Sequence, residues 1–338
     1  MKIFKTLFLV LCLGFSHLSI GQSVEDYVQE GIVQHDQGNY NKALSFYEKA
    51  LKLNPKSSLV LYEMAYSYFA KGDYSNGVKY SDKVIKLGRE NLMEAYVIKG
   101  SCYDHMSKPK KAVKTYKKGL KKTGEGYLLY YNLAVTYSGM GKTEEAIEAA
   151  HKAIDHNLTH NSSHYLLAQI HDLNGDRIQA ILSSAFFLLI EPNSERSKTI
   201  LNLYNENLNA GVSKSSTEPN VVNISIPGDQ DDEFRSANLY LSMMVASFNS
   251  VQSDTIQIDP FVEASSSLFT YLGEESANRG ESDDLYWGFY VRVFSDIAES
   301  EHMETFCNYI RASLDPEMAK WVEENEEKVD AFSEWLNN

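Results

Sequence analysis

With 338 residues, 43% of them hydrophobic and 23% charged, the chain is long enough for two folded bodies and has the make-up of a folded soluble protein. A formal net charge of -14 excludes a dedicated nucleic-acid binder, which would carry a basic surplus. Three cysteines, at 12, 102 and 307, are too few and too far apart to staple a small secreted scaffold.

The first segment reads MKIFKTLFLVLCLGFSHLSIGQS. Lys2 and Lys5 precede an apolar run from Thr6 to Phe15, which is too short to span a bilayer. Ser19 and Gly21 are the small residues a cleavage site before Gln22 needs. This pattern predicts a signal peptide over 1-21 and export of a bacterial chain to the periplasm, the envelope or the medium. The large Leu11 before Cys12 does not suit a lipoprotein cleavage box. Cleavage would leave Cys102 and Cys307, read as two buried free thiols. No later stretch is long enough for a transmembrane helix, so no integral membrane segment is expected after cleavage.

From residue 24 the chain repeats itself. Small residues recur at Gly31, Ala65, Gly100, Ala134 and Ala168, with spacings of 34, 35, 34 and 34. Gly38, Gly72, Ser107, Gly141 and Gly175 keep the same period, and so do Ala43, Gly77, Ala112, Ala146 and Ala180. Each unit splits at the second series into two helical patterns. In the first unit Tyr40, Ala43, Leu44, Tyr47, Ala50 and Leu51 recur at helical spacing. Gly31 and Ala43 are placed where two antiparallel helices approach closely. Pro55 and Pro192 stop second helices.

QGNYNKALSFYEKALKLNP and LNGDRIQAILSSAFFLLIEP resemble the tetratricopeptide repeat family. The resemblance implies an all-α fold of five helix pairs over roughly 24-57, 58-91, 93-126, 127-160 and 161-194. Departures are Gly77 for alanine, Ser107 and Pro109 at the third turn, and Arg89, Gly124 and Leu158 where the closing proline belongs. Ser194 to Asn209 reads as the polar capping helix that a stacked array needs, which closes a repeat domain over 22-210.

In this family the first helix of each unit lines a groove that holds partner proteins. The resemblance therefore places Val28, Ile32, Tyr62, Tyr66, Phe69, Val97, Ser101, Tyr131, Val135, Tyr165 and Gln169 in a groove rich in aromatic anchors. Some of these would instead pack between neighbouring first helices. The lysine and asparagine clamp with which some members hold a C-terminal carboxylate is missing at the matching positions, so an apolar or aromatic peptide is the expected partner.

KPKKAVKTYKKGLKKTGEG holds eight lysines between Lys108 and Lys122. Ala112, Val113, Tyr116, Gly119 and Leu120 take the inward positions of a helix, and Lys110, Lys111, Lys114, Lys117, Lys118, Lys121 and Lys122 the outward ones. A solvated face explains them all, and an acidic surface, such as this chain's own C-terminal half, is the alternative. Nucleic acid is disfavoured, because the aromatic residues fall on the other helices. His151, His156, His160, His164 and His171 cluster nearby, with the run DHNLTHNSSH read as an inter-repeat loop and no metal-ligand motif.

Residues 211-232 are rich in Ser, Asn, Asp and Pro and read as a linker, with a short extended segment over Asn220 to Ile226. Residues 233-338 lack the repeat and show about five helical stretches, with 21 acidic and 6 basic residues, and are expected to form a compact acidic all-helical domain packed on or beside the last repeat. FRSANLYLSMMVASFNSV is apolar on most faces and is expected to be buried. Two Asp-Pro pairs, at 259 and 315, open helices. The last is expected to be one helix with a stripe of Trp321, Val322, Val329, Phe332, Trp335 and Leu336. His302, Glu304 and Cys307 are the nearest thing to a catalytic set, but a spacing of five puts His302 and Cys307 on different helix faces. The reading is an exported, non-enzymatic scaffold for a protein or peptide partner, without metal or cofactor. The alternative is a catalytic or small-ligand module in 233-338 with the repeats as its targeting arm. Carbohydrate handling is a third class, but no motif places a carboxylate pair for it.

Overall fold

The computed structural model describes residues 22-124, 126-214, 222-225, 232-250 and 259-337. The expected leader over 1-21 lies outside these residues, as does most of the expected linker over 211-232. The chain is all-α and opens with five helix pairs: α1 (Val24–Asp36) with α2 (Tyr40–Leu53), α3 (Ser58–Ala70) with α4 (Tyr74–Leu87), α5 (Leu92–His105) with α6 (Pro109–Thr123), α7 (Tyr127–Gly139) with α8 (Thr143–His156), and α9 (Asn161–Asn174) with α10 (Arg177–Ile190). The helix α11 (Glu195–Asn209) follows, opened by a capping box at Ser194. Two compact units divide within α5, at Ile98 and Lys99.

In the first unit Val28, Ala43, Leu44, Tyr47, Ala50, Val60 and Met64 form one buried cluster, and Leu61, Val84 and Ala95 another. A Cβ on Gly31 would lie 2.2 Å from the Tyr47 ring, so the missing side chain makes room for a core tyrosine of the paired helix. In the second unit Gly100 and Tyr116 repeat the arrangement, with the corresponding distance at 2.1 Å. In the first and third repeats the small residue of the period is therefore a glycine that makes room for a tyrosine on the second helix.

The second unit continues with a short antiparallel hairpin, β1 (Val212–Lys214) and β2 (Val222–Ile224), which pairs Val212 with Ile224. Then come α12 (Arg235–Ser250), α13 (Pro260–Arg279), a π-helical turn (Leu285–Tyr290), α14 (Val291–Glu299), α15 (Met303–Arg311), α16 (Pro316–Glu324) and α17 (Glu326–Leu336). Phe269, Phe294, Phe306 and Phe332 form the aromatic core of α13–α17.

The second unit differs from the sequence reading in four respects. α12 is not buried all round, since Leu239 and Met243 are exposed on its outer face. The helix buried all round is α10, where every residue from Ile181 to Leu188 lies in the core. The last stretch is two helices, because the Asn325 side chain and backbone N–H both donate to the Trp321 carbonyl and close α16 there. α11 is also no free cap: Ile200, Leu201, Tyr204 and Leu208 are buried, and the Tyr204 hydroxyl donates to Ser265 of α13 at 2.8 Å.

The turn glycines Gly38, Gly72, Gly141 and Gly175 all have φ between 68° and 83°. Ser107 takes φ 57° at the equivalent place, a left-handed conformation that disfavours a side chain. Pro109 is tolerated beside it as the first residue of α6, where its missing N–H has no intrahelical partner to lose. Ser107→Gly should therefore stabilise the chain by about 1 kcal/mol. Urea denaturation measures this, and a lower midpoint would contradict it.

Candidate functional site

Helix pairs leave the first helices α1, α3, α7 and α9 with side chains outside the core. In the first unit Tyr66 is 41% exposed and stacks on His35 at 4.6 Å between ring centroids. Tyr62 lies parallel to Tyr66 at 6.3 Å, and the His35 Nδ1 is 2.7 Å from the Ser67 hydroxyl. Burial raises the Tyr62 hydroxyl to about 12 and pushes up the Glu63 carboxyl beside it. Phe69 is half-buried against Tyr74, and Val97 is half-buried on α5. Val28, assigned by register to the same face, is instead part of the core.

In the second unit Val135 is 42% exposed, and Tyr131, Tyr165 and Gln169 are half-buried. Tyr131 meets His160 edge-on at 5.0 Å. Tyr165 packs on Phe187 at 5.4 Å under the Arg196 guanidinium, and accepts a hydrogen bond from Gln169 Nε2 at 3.4 Å. This face is more polar than the sequence suggested, because Arg196 donates to Ser162 at 3.0 Å and to Glu191. Lys110, Lys111, Lys114, Lys117, Lys118 and Lys121 are all exposed on α6.

A second constellation seats the C-terminal helices on the last repeat. It starts from Arg177, the first residue of α10, which is 1% exposed. Its Nε donates to the Asn207 carbonyl at 2.6 Å and its Nη2 to the Leu208 carbonyl at 2.9 Å. These are last-turn carbonyls of α11, which lack the i+4 amide of a helix interior and carry the negative end of the helix dipole. Nη1 reaches the Ser242 hydroxyl of α12 at 2.8 Å. Burial lowers the guanidinium to about 10, which leaves it charged at neutral pH.

Histidines form the other side of the seat. His164 Nε2 lies 2.8 Å from the Leu158 carbonyl, so this nitrogen carries the proton of the neutral ring. His164 Nδ1 then accepts from the Tyr290 hydroxyl at 2.5 Å. By the same logic His171 donates from Nδ1 to Asp176 at 2.8 Å and accepts from the Tyr286 hydroxyl at Nε2. His151 Nε2 lies 3.3 Å from the same hydroxyl and donates to its oxygen. The π-helical turn brings Tyr286 and Tyr290 together at 5.7 Å, and Asp284 caps it through the Tyr286 and Trp287 amides. Phe186 of α10 packs on Phe289 and Tyr290. The histidines therefore lie on α8 and α9 and not in a loop, apart from His160 at the cap. Among the described residues no group of His, Cys, Asp and Glu has the arrangement of a metal site.

His302, Glu304 and Cys307 are not brought together. His302 is half-buried against Phe332 and Trp335, Glu304 is exposed, and Cys307 is fully buried with its thiol pushed up by burial. Cys102 is likewise buried and free of a disulfide. An open cleft of about 580 Å³ between α13 and the π-helical turn has only Glu281, Asp283 and Arg292 as titratable lining. Among the described residues no helix is long and apolar enough to cross a membrane.

Helix pairs of this period, with exposed first-helix faces, define a helical-repeat protein. Residues 36–119 match the family described as anaphase-promoting complex, cyclosome, subunit 3, and residues 127–157 match the tetratricopeptide repeat. The chain thus carries tetratricopeptide repeats. The general transcriptional corepressor trfA of Dictyostelium discoideum is 30% identical over 114 residues, which are 33% of this chain and 8% of that protein. The Hsp70-Hsp90 organizing protein of Triticum aestivum is 31% identical over 93 residues, 28% of this chain and 16% of that one. The match thus spans less than a fifth of the length of either curated relative. TTC0263, a thermophilic TPR protein of Thermus thermophilus, is 17% identical, with 55% of this chain and 99% of that one covered at a TM-score of 0.46. Neither family profile reaches the C-terminal helices.

The buried histidines give the seat a pH dependence. Burial lowers His151 and His164 to about 4, well under the ordinary value of 6.5. Below pH 6.5 the unfolded chain takes up protons that the folded chain refuses, so stability is present above that pH and falls as pH drops towards 4. Between pH 7 and pH 5 each histidine should remove about 2 kcal/mol. Urea titrations at the two pH values check this. A His151→Gln, His164→Gln variant should show a much flatter dependence, and an equal slope in parent and variant would contradict the assignment.

Proposed function

We propose that this protein is an exported, non-catalytic scaffold that holds a protein partner on the first-helix face of its repeats. The observation that carries the reading is that Tyr66 and Val135, large side chains at equivalent repeat positions, are exposed while the second-helix tyrosines Tyr47 and Tyr116 are buried. Aromatic side chains presented on rigid helices bury much area with little loss of conformational freedom. α1, α3, α7 and α9 contain no lysine or arginine but carry Glu30, Asp36, Glu63 and Asp172, which favours a partner without surplus negative charge. Tetratricopeptide repeats serve protein association, which supports a binding role over a catalytic one. The leader-like first 21 residues support export. The C-terminal helices complete the last repeat and so keep the array folded.

Photo-crosslinking residues placed at Tyr66 and Val135 should capture one protein partner in the envelope or periplasmic fraction, on a chain that begins at Gln22. The same probe at Lys83, on the outer side of α4, should not. Equal capture at Lys83, or a cytoplasmic chain that keeps its first 21 residues, would overturn the reading.

A further inference from the structure

Two surfaces of the second unit are incomplete as they stand. The first is the outward side of α6, which carries seven lysines and no carboxylate. All seven are exposed, and among the described residues none is held in an ion pair. The inward side, with Ala112, Thr115, Tyr116 and Gly119, is fully committed to the core. Lys111 and Lys117 lie over the Tyr103 and Tyr137 rings, and Glu145 and Glu148 of α8 relieve part of the charge at Lys117, but Lys114 and Lys118 have no carboxylate bonded to them among the described residues.

The second surface is the α16–α17 pair. It carries seven carboxylates and two lysines, Lys320 and Lys328. Lys320 pairs with Glu324 at 3.3 Å, and Lys328 lies over the Trp321 ring. Glu317, Glu323, Glu326, Glu327 and Asp330 stay exposed without a basic partner among the described residues. Packing here is also thin: α16 buries no side chain and α17 only Phe332. A shallow cleft of about 480 Å³ runs between the two helices, with Val322 and Val329 in it and Glu323, Glu326 and Asp330 around it. A lysine stem is apolar and its head is charged, so a ridge of lysines matches such a cleft, the stems over the valines and the heads on the carboxylates. Lys114 and Lys118 form such a ridge, one turn apart on α6.

No ion pair joins α6 to α16–α17 within one chain among the described residues. We propose that the occupant of each surface is a second copy of this chain, with the lysine ridge of α6 in one molecule docked in the α16–α17 cleft of the next. The contact is head-to-tail: each molecule keeps one free surface of each kind, so association continues past a dimer or closes into a ring. Its strength is electrostatic and falls with salt.

Sedimentation velocity on the purified chain tests this. At about 20 mM salt and up to about 100 µM protein, species larger than a monomer are expected, and at about 500 mM salt a monomer. Lys114→Glu with Lys118→Glu should weaken association at least about 100-fold at low salt, and so should Glu323→Lys with Glu326→Lys. Mixing the two variants should restore it, because each supplies the intact surface the other lacks, and this recovery also shows that both variants are folded. A parent chain that stays monomeric at low salt overturns the proposal, even if some other acidic protein binds α6. Variants that associate like the parent, or a mixture that fails to recover, also overturn it.

Discussion

A guanidinium leaves water only where fixed dipoles replace its hydration, and Arg177 is held by such dipoles alone. Among the described residues no carboxylate is bonded to it. Its counter-charge is the carbonyl end of α11, completed by Asn238 and Ser242 of α12. One side chain on the last repeat thus requires two later helices to be in place. The converse also holds. Without Arg177 the Leu208 carbonyl would lose its buried donor, at about 1-3 kcal/mol, and the Asn207 carbonyl would keep only the Ala210 N–H.

The rest of the second unit follows from this requirement. With α11 and α12 fixed, α10 is enclosed, and its Ile181, Leu182, Phe187 and Leu188 are buried as in a central helix. The histidine and tyrosine bonds then add direction to apolar contact. Tyr286 and Tyr290 each present a hydroxyl to an imidazole nitrogen, and the π-helical turn sets the two rings at one seat. The C-terminal helices seal the end of the array, a task a polar capping helix performs in simpler solenoids. The first-helix faces are left open for the proposed partner.

Much of the repeat part was legible because its signals are local. At Gly31 and Gly100 the period records a ring packed against a bare backbone, and the lysines of α6 fall on the side away from Ala112 and Tyr116. A helical domain on or beside the last repeat was expected, but the residues that seat it were not read, although one clue lay in RIQAILSSAFFLLI. A second helix with an open outer side needs polar residues there, as in KKAVKTYKKGLKKT, and α10 has almost none. An all-apolar second helix means a covered one. The histidines gave no such clue, because their partners lie 115 and 126 residues away in sequence and no spacing links them. The break at Asn325 depends on one side chain reaching the Trp321 carbonyl, which an amphipathic pattern does not encode.

Arg177 locks the C-terminal helices to the last repeat, and hydrogen exchange of the Arg177→Met variant tests this lock. The substitution keeps a long apolar stem and removes the donors. Amides of α11 and α12 should lose protection at least about 100-fold, a loss of about 3 kcal/mol, while those of α1–α4 keep theirs. Unchanged protection in α11 and α12 would contradict it.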